Sequence, residues 1–309
     1  MKYVRTNFNF EQQLLEEKDH FSFDFISNNS NYEFEYLFFF IQAQGILNTP
    51  ILYESKYKDY LKIKFNLDVI TEIRPQQNYD FWWGDLKDFK KSQKLNDKLF
   101  FWKYCLEFGL PYPVTIIDYT KLNLLSNFVI ARKRLGFSGI GLKILNKSEI
   151  KALDKNYIYS SYMKKDFDFG LFFSQNDILI YQNEIDQSGK YKGSKTLLES
   201  DLYNKLSNLN IFQKLKKIRN ITGSNYQVDG FVSNGEIFFN EMNFRLTMGS
   251  IFSLIMNNYF PGKNGNIKIL KYSEYLKITD KDRQLYFLTP RLSNFKYRFG
   301  IILEISESI

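Results

Sequence analysis

Two strand-like stretches joined by an Asn-Gly pair are the feature that most constrains how this chain can fold. Residues 226–233 and 236–243 are rich in β-branched and aromatic residues, and Asn234-Gly235 between them is a strong signal for a tight turn. We therefore predict a β-hairpin over 226–243. Its second strand also carries apolar residues at successive positions, which indicates burial on both sides.

Polar side chains interrupt this otherwise apolar hairpin. Asp229 lies on the first strand, and Glu241, Asn243 and Arg245 follow at alternate positions, so the last three point to one face. Carboxylate and amide oxygens are hard ligands, suited to Mg²⁺ and to the phosphate oxygens that the ion bridges. The alternative interpretation is a solvated polar face, which the apolar neighbours Phe238, Phe239, Met242 and Phe244 disfavour.

The length of the turn decides whether the carboxylates can share a metal ion. A two-residue turn at Asn234-Gly235 would put Asp229 and Glu241 on opposite faces of the hairpin. A three-residue loop over 233–235, with Gly235 in the left-handed region, would put both on one face. Because a shared ion needs the second arrangement, we predict the three-residue loop with a bulge.

A glycine-rich loop separates two further predicted strands, 128–133 and 142–145. The pattern runs Lys133-x-x-Gly136-x-Ser138-Gly139-x-Gly141. Glycine lets the backbone turn its N–H groups toward an anion, and the serine adds a hydroxyl donor, so such a loop can wrap phosphates. A glycine hairpin without that role is the alternative. The loop is neither a Walker A motif nor a dinucleotide-binding fingerprint, because a strand follows it.

Helices are predicted over 32–44, over 199–218 and, with the clearest boundaries, over 98–108. Asn96 is the expected N-cap, Asp97 adds negative charge in the first turn, and Gly109 ends the helix. Lys98, at the start of this helix, is by itself an ordinary surface residue.

The scarcity of histidine and cysteine excludes several kinds of chemistry. The 309 residues include one His and one Cys, so an internal disulfide framework and a His-rich or Cys-based metal site are both excluded. Chemistry must then depend on carboxylates, Lys, Arg, backbone amides and a hard metal ion. The net charge of +8 fits a nucleic-acid binder or an enzyme for phosphorylated or carboxylate ligands, and a lysine-rich solvated surface explains it equally well.

Taken together and in this order, the three features resemble the ATP-grasp superfamily over roughly residues 90 to 260. The start of the helix, 96–98, and its proline-containing exit, 109–113, resemble the entry helix of that family. Lys133 and the glycine loop resemble its strand lysine and the lid over the phosphates. The stretch 229–245 resembles its terminal E-x-N-x-R metal motif, which is the most specific of the three.

The resemblance implies an α/β (α+β) fold in which a small N-terminal subdomain precedes two lobes that clasp ATP. The implied domains are 1–92, 93–260 (a lid lobe at about 114–165 and a metal-binding lobe at about 166–260) and a C-terminal extension, 261–309. The resemblance implies that Lys98 and Lys133 contact the ATP phosphates and that a lid is formed by Gly136, Ser138, Gly139 and Gly141. It implies that one or two Mg²⁺ ions, or Mn²⁺ as a substitute, are bound by Asp229, Glu241 and Asn243. The implied catalytic residues are Arg245 and Lys133.

Two departures from the family pattern and one ambiguity bear on activity. Gln227 stands where many of these ligases have an arginine, and Lys165 is a candidate replacement for that charge. Residues 159–163 lack the acid that many members place near the ribose. Arg132 and Lys133 are adjacent cations, and the spacing to the glycines favours Lys133 as the one that faces ATP.

The resemblance implies a ligase that activates a carboxylate as an acyl phosphate and joins it to an amine. The first twenty residues contain no apolar core of the kind a signal peptide has, so the expected compartment is, by default, the cytoplasm. The expected substrates are small molecules or peptides, with no nucleic-acid or membrane partner. A protein that binds nucleotide without ligating is the second reading, and a basic nucleic-acid-binding module is the third.

Overall fold

The structure is a computed structural model that describes most of the chain. The described residues are 3–16, 30–41, 45–72, 80–84, 87–136, 139, 141–174, 177–186, 189–197, 200–223, 225–279, 284–291 and 293–307. Ser138, one of the predicted lid residues, lies outside them.

Helices and strands alternate along the chain, which confirms the predicted α/β class. The strands are β1 (Tyr3–Arg5), β2 (Ile46–Asn48), β3 (Thr71–Glu72), β4 (Asp80–Phe81), β5 (Thr115–Ile116), β6 (Phe128–Lys133), β7 (Lys143–Asn146), β8 (Tyr157–Ser161), β9 (Phe167–Phe173), β10 (Ile178–Ile185), β11 (Tyr191–Thr196), β12 (Tyr226–Ser233), β13 (Glu236–Asn243), β14 (Asn264–Lys271), β15 (Leu285–Phe287) and β16 (Phe299–Ser306). The α-helices are α1 (Phe10–Glu16), α2 (Phe38–Ile41), α3 (Ser55–Phe65), α4 (Phe89–Leu95), α5 (Lys98–Phe108), α6 (Ser200–Asn208), α7 (Ile211–Lys216), α8 (Ile218–Thr222), α9 (Met248–Tyr259) and α10 (Tyr272–Tyr275).

The chain divides into two compact units. The first contains residues 1–87, 192–196 and 246–309, and the second contains residues 88–191 and 197–245. The predicted 93–260 domain coincides with neither unit, because 246–260 group with the N-terminal residues.

The first unit contains a parallel sheet in the order β3-β2-β1-β4 and antiparallel strands in the order β11-β14-β16-β15. Helix α3 buries Tyr57, Leu61 and Phe65, which lie on one stripe because they are four residues apart. The helix predicted over 32–44 is wrong for the described part, where 3₁₀ turns precede the short α2. Leu37, Phe38 and Phe40 are all buried there, so tertiary packing overrides the helical pattern.

A buried carboxyl group lies in the same unit. Glu35 is fully buried, and one of its oxygens accepts hydrogen bonds from the hydroxyls of Thr49 and Tyr53. Burial raises the pKa of Glu35 to about 8, although the two hydroxyl donors partly oppose this effect. Glu35 therefore carries a proton in the folded protein at neutral pH.

The second unit contains two antiparallel sheets. One has the order β5-β8-β6-β7, and the other strands run in the order β13-β12-β9-β10. One face of β9, β12 and β13 packs on α5, α6 and α7; the core there includes Phe101, Leu206, Leu215, Phe169, Val228 and Phe239. Side chains alternate between the two faces of a strand, so the residues next to these core residues point away from the helices. The polar side chains of the hairpin lie on that opposite face of the sheet.

The bounds of the helix predicted over 98–108 are confirmed, but its predicted N-cap is wrong. Asp97, not Asn96, is the N-cap of α5, and its carboxylate accepts from Leu99 N at 2.8 Å. The single helix predicted over 199–218 is divided into α6 and α7, followed by α8. Asn210 has a φ of 53°, in the left-handed region that asparagine tolerates, so it interrupts the helix.

No helix among the described residues is long and apolar enough to cross a bilayer.

Candidate active site

The β12–β13 hairpin closes with a two-residue turn. Asn234 and Gly235 both have positive φ, at 50° and 75°, and Ser233 pairs with Glu236. This is the turn that an Asn-Gly pair favours. The predicted three-residue loop is therefore wrong.

A β-bulge further along the hairpin brings the two carboxylates to one face. The register shifts between Asp229 and Gly230, so that Asp229 pairs with Glu241 while Gly230 pairs with Phe239. The extra residue is Asn240 on β13. Residues directly opposite each other in an antiparallel pair share a face. The predicted shared face is thus confirmed, and a bulge at Asn240 replaces the loop as its cause.

Arg132 and Tyr112 hold the bulge in place. The backbone carbonyl of Asn240 accepts from Arg132 Nη1 at 3.0 Å and from the Tyr112 hydroxyl at 2.9 Å. Arg132 Nη2 donates to the same hydroxyl at 2.9 Å. Arg132 is only 8% exposed, so these charge-assisted bonds are shielded from water. The contact joins strand β6 to β13 at the residue that sets the register of Glu241.

Asp229 accepts from amide groups on both of its oxygens. Gln227 Nε2 donates to Oδ1 and Asn243 Nδ2 donates to Oδ2, each at 2.7 Å. Burial raises the pKa of Asp229 to about 7, and the facing charge of Glu241 adds to the rise, while the Gln227 amide and Arg245 oppose it. Amides stabilise a carboxylate less than a cation does, so Gln227 leaves Asp229 easier to protonate than an arginine there would.

Glu241 forms an ion pair with Lys98. Lys98 Nζ lies 2.9 Å from Glu241 Oε2, and the two side chains are 8% and 28% exposed. Burial alone would raise the pKa of Glu241, but the charges of Lys98, Arg132 and Arg245 outweigh it and lower the pKa below its usual value. Glu241 is therefore ionised at neutral pH, whereas Asp229, with a pKa of about 7, is only partly ionised.

Lys98 also ties the helix to the glycine loop. Its Nζ donates to the carbonyl of Gly136 at 2.5 Å, and its backbone N–H donates to the carbonyl of Arg134 at 3.0 Å. Arg134 in turn forms an ion pair with Asp97, the N-cap of α5. Three predicted pieces, namely the helix start, the loop and the carboxylate strand, therefore meet at one ammonium group.

Two further glycines of the loop are described. Gly139 and Gly141 have φ values of 76° and 77°, which other residues rarely adopt. A Cβ on Gly141 would lie 2.9 Å from Lys133 Cβ. Gly141 therefore allows the loop to pass closely over the end of β6.

Arg132, and not Lys133, reaches the carboxylate strand, while the assignment of Lys133 as the cation that faces ATP stays a prediction. Successive residues of a strand point to opposite faces. Arg132 contacts Asn240, so Lys133 projects from the other face of β6, where it pairs with Tyr157 and lies beside Gly141. Spacing to the glycines could not reveal this, because it does not fix the phase of the strand.

Arg245 follows β13 directly. Its positive charge lowers the pKa of both Asp229 and Glu241. Asn243 pairs with Gln227 one step along the same ladder. The predicted cluster of Asp229, Glu241, Asn243 and Arg245 is therefore assembled on one side of the hairpin, with Lys98 added.

Solved structures match the architecture closely enough to settle the fold. A biotin carboxylase from Campylobacter jejuni, complexed with β-γ-ATP, aligns with a TM-score of 0.58 at 11% identity, over 99% of this chain and 87% of the other. The biotin carboxylase domain of the Hydrogenobacter thermophilus 2-oxoglutarate carboxylase gives 0.57 at 10% identity, over 99% and 86%. The N5-carboxyaminoimidazole ribonucleotide synthetase of Thermus thermophilus gives 0.52 at 14% identity, over 86% and 78%.

The chain has the ATP-grasp fold. No protein-family model and no curated protein matches the sequence. At these identities the similarity establishes the ATP-grasp fold itself, and the chemistry has to be argued from the residues of this chain.

The donor set of this ATP-grasp chain suits a magnesium–nucleotide complex. Within the described ranges, no three His, Cys, Asp or Glu side chains are grouped to hold a metal ion by themselves. Mg²⁺ in nucleotide sites needs only one or two carboxylates, because phosphate and water oxygens fill the remaining positions. Asp229, Glu241 and the amide oxygen of Asn243 fit that requirement.

Sequence reasoning missed three residues around the ATP-grasp site. Tyr112 was noted only as part of a helix exit, Asn240 only as a strand residue, and Asn183 not at all, although its Nδ2 lies 3.5 Å from Asp229 Oδ1. Gly230 carried a signal for the bulge, since a Cβ there would lie 2.7 Å from the carbonyl oxygen of Phe238.

Proposed function

We propose that this protein is an ATP- and Mg²⁺-dependent ligase that activates a carboxylate as an acyl phosphate, joins it to an amine, and releases ADP and phosphate. The observation that carries the proposal is the pairing of Asp229 with Glu241 across a bulged ladder, with Lys98 on Glu241. The fold supports it, because one of the matching structures holds MgADP and bicarbonate, a small carboxylate-like anion.

The nucleotide is proposed to bind between the glycine loop and the carboxylate strand of the second unit. Lys98 supplies a charge for the phosphates at the point where Gly136 and Glu241 meet it. Backbone N–H groups near Gly139 and Gly141, together with the Ser138 hydroxyl, are proposed to contact the phosphate oxygens. Lys133 is proposed to contact the phosphates as well, since its side chain lies beside Gly141 of the same loop.

Asp229, Glu241 and Asn243 would hold the magnesium ion, which neutralises charge on the phosphates when it is bound. Glu241 is already ionised and needs only to exchange Lys98 for the ion. Asp229 is only partly ionised at neutral pH, because burial and Glu241 raise its pKa to about 7, and binding of the ion would favour its ionised form.

The reaction needs positioning and charge neutralisation rather than a histidine base. A carboxylate oxygen attacks the γ-phosphorus, and the bond to the β-phosphate oxygen breaks, which releases ADP. The amine nitrogen then attacks the acyl carbon, and phosphate leaves with the original carboxylate oxygen. Arg245 is proposed to stabilise the transferred phosphoryl group.

A second function, nucleotide binding without ligation, is favoured by one observation. Gln227 donates an amide N–H to Asp229 at 2.7 Å, where an arginine would favour the ionised carboxylate more strongly. A site of this kind can hold nucleotide yet be poorly set up for phosphoryl transfer.

Trapping the intermediate separates the two functions. The protein is incubated with ATP, Mg²⁺, hydroxylamine and each member of a panel of small and peptide carboxylates, and ADP and hydroxamate are both measured. We expect stoichiometric ADP and hydroxamate with at least one carboxylate. Glu241→Gln should abolish both, whereas Glu236→Gln, an exposed glutamate at the start of the same strand, should not. Binding of MgATP without either product over the whole panel would favour the second function.

A further inference from the structure

A cavity of about 310 Å³ is lined by residues of the first unit, and none of them belongs to the candidate active site. Its walls are the aromatic rings of Tyr57, Tyr60 and Phe287. Its rim carries three charged side chains, Glu54, Lys56 and Arg291. The volume is within the range of small-ligand sites and equals that of roughly ten water molecules, which is room for one ring with a short side chain.

The aromatic walls are held by hydrogen bonds to the backbone. The Tyr57 hydroxyl donates to the carbonyl of Leu288 at 2.5 Å, and the Tyr60 hydroxyl accepts from Phe287 N at 2.8 Å. Both tyrosines project from α3, two residues after the start of the helix and one turn later. The rings are therefore fixed before any ligand arrives, and a planar apolar body can stack on them at little cost in ordering.

Arg291 is fixed at the rim with part of its hydrogen-bonding capacity unused. Its guanidinium carbon lies 4.8 Å from the centroid of the Phe287 ring, and its Nη2 donates to the carbonyls of Leu276 and Ile278 at 2.6 and 2.9 Å. Within the part of the chain that the structure describes, Nη1 and Nε have no acceptor. Arg291 is thus a preorganised cation with donors left for an anion.

The charge of the rim favours a negative ligand. Lys56 and Arg291 face a single carboxylate, that of Glu54, and the first turn of α3 contains no acidic residue. The lining offers an amine one carboxylate, and the two cations of the same lining would repel it. A free phosphate would gain nothing from the aromatic walls.

We propose that this cavity binds a small planar organic anion, of the aromatic carboxylate class, with its ring against Tyr57, Tyr60 and Phe287 and its carboxylate at Arg291 and Lys56. The site is independent of the proposed ligase reaction, because every residue that forms it belongs to the first unit and all the proposed catalytic residues belong to the second.

Titration of the full chain with 4-fluorophenylacetate, followed by ¹⁹F NMR, tests the proposal. We expect saturable binding without ATP or Mg²⁺. The matched cation 4-fluorophenethylamine should bind at least about tenfold more weakly, and inorganic phosphate should not displace the probe. No saturation up to about 10 mM, or equal binding of the acid and the amine, would overturn the proposal.

Matched variants locate the binding. Lys56→Gln should weaken it about two- to fivefold, whereas Lys64→Gln, in the last turn of the same helix, should leave it unchanged. Arg291→Gln should weaken it roughly tenfold or more, and its melting temperature checks that the fold survives the loss of two carbonyl contacts. If Lys56→Gln and Lys64→Gln give the same affinity as the wild type, the probe binds elsewhere and the proposal fails. Because Glu241→Gln should not alter this binding, failure of the ligase proposal would be seen separately.

Discussion

Lys98 Nζ lies 2.9 Å from Glu241 Oε2, and the same ammonium group donates to the carbonyl of Gly136 in the glycine loop. One cation thus links the helix start, the loop and the carboxylate strand. A bound nucleotide phosphate would compete with Glu241 for the Lys98 ammonium group. A bound magnesium ion would compete with Lys98 for the Glu241 carboxylate. The ion pair is therefore expected to exchange partners when MgATP binds.

Replacing Lys98 tests this exchange. Lys98→Gln should weaken MgADP binding by about 1.5–3 kcal/mol, because it removes a charge-assisted contact from a site with little exposure to water. Lys103→Gln, on the exposed side of the same helix, is the control and should change little. Calorimetric titration gives both affinities. Equal affinities in the two variants would remove Lys98 from the nucleotide site.

Arg132 and Lys133 are adjacent, and the structure assigns them different surroundings. Arg132→Met should lower the free energy of unfolding by about 2 kcal/mol, because the Asn240 carbonyl and the Tyr112 hydroxyl lose their buried donors. Lys133→Met should change it by no more than about 0.5 kcal/mol. Urea denaturation measures both. The reverse order would mean that Lys133 is the cation that holds the bulge.

Much of this fold could be predicted from the sequence because the signals are local. The strands 226–233 and 236–243 and their Asn-Gly turn follow from strand composition and turn chemistry, and the structure has the same bounds. The glycine loop between strands was equally clear.

The bulge at Asn240 could not be predicted, because a contact between residues more than a hundred positions apart in the chain supports it. The predicted three-residue loop was a local solution to the same geometric requirement. The contact of Arg132 with Asn240 could not be predicted for a related reason: the direction of a strand side chain depends on which neighbours the strand finds. The helix prediction over 32–44 failed in its described part because burial of the aromatic residues before Ile41, and not helical periodicity, decides their conformation.

Burial of Glu35 predicts a dependence of stability on pH. The carboxyl keeps its proton up to a pKa of about 8 in the folded state but loses it near the ordinary value of 4.5 when unfolded. Between these values the folded state binds more protons, so its stability falls as the pH rises. Glu35→Gln should remove this dependence. The free energy of unfolding of the variant minus that of the wild type should therefore be larger at pH 7 than at pH 4.5, by on the order of 3 kcal/mol.

Urea denaturation at a series of pH values from about 4.5 to 8 measures the effect of Glu35. Glu274→Gln, at an exposed glutamate of the same unit, should keep the slope of the wild type. A Glu35→Gln variant with an unchanged slope would show that the carboxyl is ionised in the folded protein.

Arg245 is expected to act mainly on the transition state. Arg245→Ala should lower kcat by a larger factor than it weakens MgATP binding, because negative charge grows on the transferred phosphoryl group during the reaction. Arg245→Lys should restore part of the loss, since it keeps the charge without the planar fork. Steady-state kinetics and calorimetry on the three proteins measure the two effects. Equal losses in kcat and affinity would assign Arg245 to ground-state binding only.

The central claim is that a carboxylate oxygen attacks ATP, and oxygen transfer tests it most directly. The best carboxylate substrate is labelled with ¹⁸O and turned over with ATP, Mg²⁺ and an amine, and the released phosphate is analysed by mass spectrometry. Formation and aminolysis of an acyl phosphate predict one ¹⁸O atom in each phosphate, together with loss of product in Glu241→Gln. Phosphate without ¹⁸O would show that water, and not the carboxylate, receives the phosphoryl group, and would contradict the account.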